Sequence, residues 1–241
     1  MTKARDLANF TASTGVVDAD IGSTVQAYDS NLTSFVNGFT LPTTDGSSGQ
    51  VMQTNGSGTL TFATPSGGAW TYLSTVTASA ASTADVETTF NSTYDQYAII
   101  GSGVSISSAG QNFQIRLKIG GSYITNSTYG YCYRFMTGFN TTEYPGSSDD
   151  AASEIRFCES LSASTSKTSN FIVYVSNPSS TSLVKNIYWT GQFSYDTPNQ
   201  SVIYCSGAAR NTNTGALTGV RFFPSAGTVS GTFRLYGIKN S

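Results

Sequence analysis

This 241-residue chain contains fourteen acidic side chains and no histidine. That removes the commonest general base and metal ligand, and with them every Ser-His-Asp or Cys-His arrangement. The hydrolytic route left open is a pair of carboxylates, as glycosidases use. Asp149 and Asp150 are adjacent in a Gly/Ser loop, Glu154 and Glu159 lie on or beside an expected strand, and Glu143 precedes Tyr144-Pro145. Adjacent loop aspartates are usually solvated and less often ligate calcium. The expectation is therefore no enzyme, no catalytic residue, no cofactor and no metal, with calcium at Asp149 and Asp150 as the alternative. Cys132, Cys158 and Cys205 are far apart, odd in number and lack the paired spacing of zinc or redox sites. All three alternate with bulky neighbours and read as buried small apolar residues.

Aromatic residues are in surplus, with 14 Tyr, 14 Phe and 2 Trp. Tyr129, Tyr131, Tyr133 and Phe135 recur at every second position, so in a strand they form one stripe. Tyrosine combines an apolar face with a hydroxyl, which suits a sugar ring that stacks by its C–H face and hydrogen-bonds by its hydroxyls. Tyr174 and Tyr188 fall opposite in phase to the apolar positions of their strands. The glycan-binding candidates are thus Tyr129, Tyr131, Tyr133, Tyr174 and Tyr188. The other reading of the stripe is the inner face of a sandwich strand or a contact between subunits.

These side chains need strands to hold them, and from Trp70 onward the chain is a succession of strand patterns separated by Gly, Ser, Asn, Thr and Pro. About ten are expected: 72–77, 96–106, 113–119, 129–137, 154–161, 171–176, 186–195, 202–206, 219–223 and 231–238. In Phe113–Ile119 the odd positions are apolar and the even ones polar or charged, the mark of a half-buried strand. The same alternation puts Ile187, Trp189 and Phe193 on one face, and Phe233 with Leu235 opposite Arg234. Strands without crossover helices pair antiparallel, so residues 70–241 are expected to be a jelly-roll-like β-sandwich. Charged residues are 11% and net charge is −2, which offers no footprint for nucleic acid. No apolar run approaches the ~20 residues that span a bilayer, and the N-terminus lacks the apolar stretch of a secretory signal.

Two further regions precede the sandwich. In residues 1–40, Leu32, Phe35, Val36 and Phe39 form the apolar stripe of a short helix over Ser30–Phe39. In residues 41–69, Val51–Thr54 and Thr59–Phe62 flank Asn55-Gly56-Ser57-Gly58, a hairpin pattern. A lone two-stranded hairpin is marginal in water, and Val51 or Met52 with Leu60 and Phe62 are its only apolar residues. Self-association through Leu32, Phe35, Val36, Phe39, Leu60 and Phe62, as a homotrimer, is the expected remedy; a flexible linker is the other reading.

The segment Leu41–Ala63, LPTTDGSSGQVMQTNGSGTLTFA, resembles a stalk signature of bacteriophage fibre proteins. The phrases MTKARDLANF and DIGSTVQAYDSNLTSF resemble the N-terminal region shared by tail fibres and other appendages of marine phages, and Gly231–Ile238 resembles the last strand of their C-terminal β-sandwich domains. The resemblance implies a virion protein assembled in the host cytoplasm. Its N-terminus would bind other virion proteins, and its outer domain would adhere to host-surface polysaccharide. The alternative is a capsid fibre, decoration protein or tail adaptor whose outer domain binds another virion protein.

Overall fold

The computed structural model describes residues 38–65, 68–87, 90–137, 140–195 and 202–239. The chain divides into two compact units, Met1–Ser66 and Gly67–Ser241. The helix expected over Ser30–Phe39, with Leu32, Phe35 and Val36, lies outside the described residues except for its last positions.

In the first unit, β1 (Val51–Thr54) and β2 (Leu60–Ala63) form the expected hairpin. Met52 faces Phe62 and Thr54 faces Leu60, so Met52, not Val51, shares the face of Leu60 and Phe62. The Asn55 side-chain oxygen accepts the N–H groups of Ser57 and Thr59 at 2.8 and 3.1 Å. Gly56 and Gly58 supply the positive φ angles, 77° and 81°, that the turn requires. Thr40 adds a parallel bridge to Thr59. Phe39, Leu41, Val51 and Met52 remain exposed.

Among its described residues the second unit holds thirteen strands: β3 (Trp70–Ala81), β4 (Ala84–Val86), β5 (Gln96–Ile106), β6 (Gln111–Ile119), β7 (Ser122–Tyr123), β8 (Tyr129–Thr137), β9 (Asn140–Ala152), β10 (Ile155–Leu161), β11 (Ser169–Ser176), β12 (Lys185–Ser194), β13 (Val202–Asn211), β14 (Leu217–Pro224) and β15 (Val229–Ile238). They make two antiparallel sheets. The larger has the order β3-β15-β5-β11-β12-β13-β8-β9; the smaller runs β10-β6-β14-β4, with β7 paired to β6. No helix among the described residues is long and apolar enough to cross a membrane.

One aromatic core joins the sheets. Phe171 of β11 lies 5.6–6.1 Å from Phe113, Phe222 and Phe233, and 4.7 Å from Phe157. Its ring fits because Gly101 and Gly191 flank it on the neighbouring strands: a Cβ on Gly101 would sit 2.3 Å from the ring. The alternation read from Phe113–Ile119, from Ile187, Trp189 and Phe193, and from Phe233 and Leu235 points those apolar residues inward, all at most 4% exposed.

Outside, the two sheets differ. On the smaller sheet every charge has a partner: Arg221 grips Asp85 with two bonds of 2.8 and 2.6 Å, Lys118 meets Glu87 at 3.0 Å, and Arg116 meets Glu154 at 2.9 Å. Arg221 also lies 3.7 Å over the Tyr123 ring, whose hydroxyl donates to Glu87 at 2.6 Å. This is a solvated face that satisfies itself.

The segment Asn140–Ala152 is an edge strand, not the loop expected around Asp149 and Asp150. Its pairing with β8 breaks register three times, and it contains Pro145 and Gly146, with φ of 67° at the glycine. Proline and bulges belong on sheet edges, and here they hide the strand from pattern reading. The short β4 and β7 also escaped the sequence pattern.

Candidate functional site

The outer face of the large sheet is where side chains meet solvent without charged partners on every side. Cross-strand register places Tyr72, Tyr236, Ala98, Tyr174, Tyr188, Ala208, Cys132 and Ser148 in one row over all eight strands. Four of the eight are aromatic, and the last three, on β13, β8 and β9, are small. Where large meets small, the surface steps down into a groove.

The groove has a volume of about 730 Å³, within the range of small-molecule sites. Tyr188 walls one side and Ser148 to Asp150 the other, over a floor of Gly130, Cys132 and Ala208. A second hollow of about 620 Å³ shares Tyr188, Cys132 and Ala208 and carries it on toward Ser206 and Arg134. Tyr188 is 44% exposed and stacks on Tyr174, with centroids 4.5 Å apart and planes 13° from parallel. Burial, then the neighbouring Tyr188, raises the Tyr174 phenol above its ordinary pKa, so it remains a neutral donor at physiological pH. At one end of the groove Arg210 meets Asp150 at 3.0 Å, and Asn186 lies opposite Arg210 on β12. A Cβ on Gly130 would come 2.7 Å from the Asp150 carboxylate and 3.3 Å from Arg210 Nε, so glycine is what lets this pair lie over the floor. The pair is solvent-exposed and adds little stability; its donors and acceptors remain available to a ligand.

Of the five tyrosines singled out for glycan binding, the structure brings together Tyr174 and Tyr188. Tyr129, Tyr131 and Tyr133 are at most 8% exposed and point into the core, so the stripe is an inner face and not a glycan platform. Their hydroxyls find partners inside. Tyr129 accepts the Leu117 N–H at 2.9 Å and donates to the Ile124 carbonyl at 3.2 Å, and burial pushes its phenol up to about 12. Tyr133 donates to Glu159 at 2.6 Å, and its rings stack with Tyr131 and Phe135 at 6.3 and 6.5 Å. The cysteine expectation needs a matching correction. Cys158 and Cys205 are buried, but Cys132 alternates with two inward tyrosines and is therefore exposed on the groove floor.

The carboxylates are engaged one by one. Glu154 binds Arg116, Glu159 accepts Tyr133, Asp150 binds Arg210, and Asp149 accepts the Ala151 N–H at 2.9 Å. Among the described residues no three His, Cys, Asp or Glu side chains cluster as metal ligands. Phe39 is exposed, Leu60 and Phe62 are half-buried within the hairpin unit, and Phe62 packs against Gly46. Sequence reasoning missed Asn186, Arg210 and the small floor, because a groove made by four strands exists only once their register is set.

The fold and site define an antiparallel two-sheet β protein with an aromatic-walled groove on one outer face. No protein-family model, curated protein or solved structure matches the chain.

Proposed function

We propose that the protein is a non-enzymatic virion appendage of a bacteriophage, a tail fibre or related fibre, whose outer domain adheres to host-surface polysaccharide through the groove beside Tyr188. The observation that carries this reading is the groove's chemistry: a stacked tyrosine pair for the C–H face of a sugar, a floor of small residues that admits a ring, and Asn186, Arg210 and Asp150 at hydrogen-bonding positions for its hydroxyls.

The strand order supports it at the level of fold. Strands β3-β15-β5-β11 and β4-β14-β6-β10, with the chain changing sheet at each step from β3 to β6, from β10 to β11 and from β14 to β15, match the strand order of a jelly roll, a fold used by viral capsid and lectin domains. That is analogy, and a fold hosts many functions. The additional strands β12, β13, β8 and β9 extend the large sheet, and they build the groove. Self-association as a trimer accounts for the hairpin unit, whose Leu41, Val51 and Met52 are exposed on a structure too small to be stable alone. Three copies, and many fibres per particle, turn a weak sugar contact into lasting attachment by raising effective concentration.

The test is binding of the full chain to host cells, competed by free surface polysaccharide. Competition supports adhesion. Absence of cell binding together with tight association to a purified virion protein favours the capsid-decoration or tail-adaptor role. Release of reducing sugar from the polysaccharide would overturn the non-enzymatic reading.

A further inference from the structure

The other half of the same sheet face has a different chemistry. On β3, β15, β5 and β11 the outward side chains include Trp70, Tyr72, Tyr236 and Tyr174, with Ile100 and Ile172 in the next row. The rings run as one connected strip: Tyr72 lies 5.9 Å from Tyr236, Trp70 lies 5.9 Å from Tyr236 and 6.1 Å from Tyr174. Strands β3, β5 and β11 contain no charged residue, Lys185 of β12 is buried, and Arg234 of β15 is the one charge on these strands that points outward. Trp70 and Tyr72 are 39% and 56% exposed, and Leu73, the extra residue of a bulge opposite Leu235 and Tyr236, is 36% exposed.

We infer that this aromatic half-face is the surface through which the outer domains of separate copies of the chain pack against one another. The inference rests on the self-association proposed above and assigns it a surface in the second unit.

Three observations select this occupant. First, charge is depleted and Tyr and Trp are enriched, the composition of a protein interface centre. Second, Leu73, Ile100 and Ile172 offer no hydrogen bond, so an apolar protein surface covers them at less cost than the hydroxyls of a sugar would. Third, the area suffices. Four strands spaced ~4.8 Å and ~10 residues long at ~3.4 Å per residue give a plan area of about 650 Å², within the range one partner contributes to a stable interface.

A second copy is the partner of choice because the chain has two uncovered apolar surfaces, one in each unit, and β3 is the strand that follows the hairpin unit in sequence. Copies held together at one surface meet at the other with a high effective concentration.

Trp70 reports directly on this surface. The chain has two tryptophans, and Trp189 is 1% exposed within its own core. Acrylamide quenching of the full chain, with Trp70→Phe as the blank that isolates Trp189, reads the exposure of Trp70, while light scattering on the same sample reads mass. The expected result is three times 25.4 kDa with Trp70 quenched on the order of fivefold more weakly than free tryptophan amide. Tyr72→Ser with Tyr236→Ser, checked for an intact fold by circular dichroism, should restore Trp70 quenching. An oligomer in which Trp70 is freely quenched overturns this inference and leaves self-association standing through the hairpin unit. A mass of 25.4 kDa overturns both.

Discussion

Replacing Tyr188 by alanine separates the groove's contribution to binding from its contribution to the fold. The ring is 44% exposed and stacked on Tyr174 at 4.5 Å. Losing the ring pair costs ~0.5–1.5 kcal/mol, and losing its half-burial costs about 1 kcal/mol more. The fold should therefore weaken by about 2 kcal/mol, a fall in Tm of about 4–8 °C for a domain of this size. A central aromatic contact to a ligand is worth ~2 kcal/mol or more, which raises Kd about thirtyfold. Tyr188→Phe keeps the ring and loses only the hydroxyl, so Tm should stay within about 2 °C and Kd should rise about fivefold, the loss of one hydrogen bond. The assay is a panel of bacterial surface polysaccharides to find a ligand, followed by calorimetric titration of the wild type and both variants. If Tyr188→Ala is folded and binds the polysaccharide within twofold of the wild type, the groove is not the binding site.

Three other perturbations test the framework around the groove. Gly101→Ala forces a methyl to 2.3 Å from the Phe171 ring and should cost at least ~1–3 kcal/mol by overpacking, read as a lowered denaturation midpoint; Gly68→Ala, with open space around it, should be neutral. Acid should destabilise the protein: burial raises the Asp85 pKa but Arg221 outweighs it, Tyr123 and Lys118 lower Glu87, and Ser153 with Arg116 overcome burial at Glu154. All three folded values lie below the ordinary 3.8 and 4.5, so their contribution is complete above that range and is lost as pH falls through it; Tm should be flat at neutral pH and decline below about 4.5. Alkali acts in the opposite sense, because the Tyr129 phenol is raised from 10.0 to about 12 and its support is lost as pH climbs through that window; Tyr129→Phe should flatten this loss, while leaving the Leu117 N–H unpaired at a cost of ~1–3 kcal/mol.

The sequence made the inward faces legible wherever large apolar residues alternate. Phe113, Ile115, Leu117 and Ile119 and the pair Phe233 and Leu235 lie where their period places them, because a half-buried strand has no other way to hide them. The same rule contained the correction for Cys132: once Tyr131 and Tyr133 point inward, the residue between them must point out. What alternation cannot give is which face is inner when both are plausible, and tyrosine is plausible on either. The answer for Tyr133 depends on Glu159 and for Tyr129 on Leu117 and Ile124, partners that no local pattern announces. Strand β9 was hidden because its pairing is imposed by β8 across a bulged, proline-containing edge. The groove was hidden for a related reason, since Gly130, Ala208 and Arg210 become neighbours only through the registers of β8 and β13.

Cys132 gives the most direct measurement of the proposed adhesion site. Of the three thiols, Cys158 and Cys205 are buried and Cys132 alone is exposed, on the groove floor. Alkylation of the full chain should modify Cys132 once per chain. With a bound surface polysaccharide at tenfold its Kd, the rate should fall about tenfold through occupancy alone. A polysaccharide that binds the chain and leaves the Cys132 rate unchanged would contradict the groove as the site of adhesion.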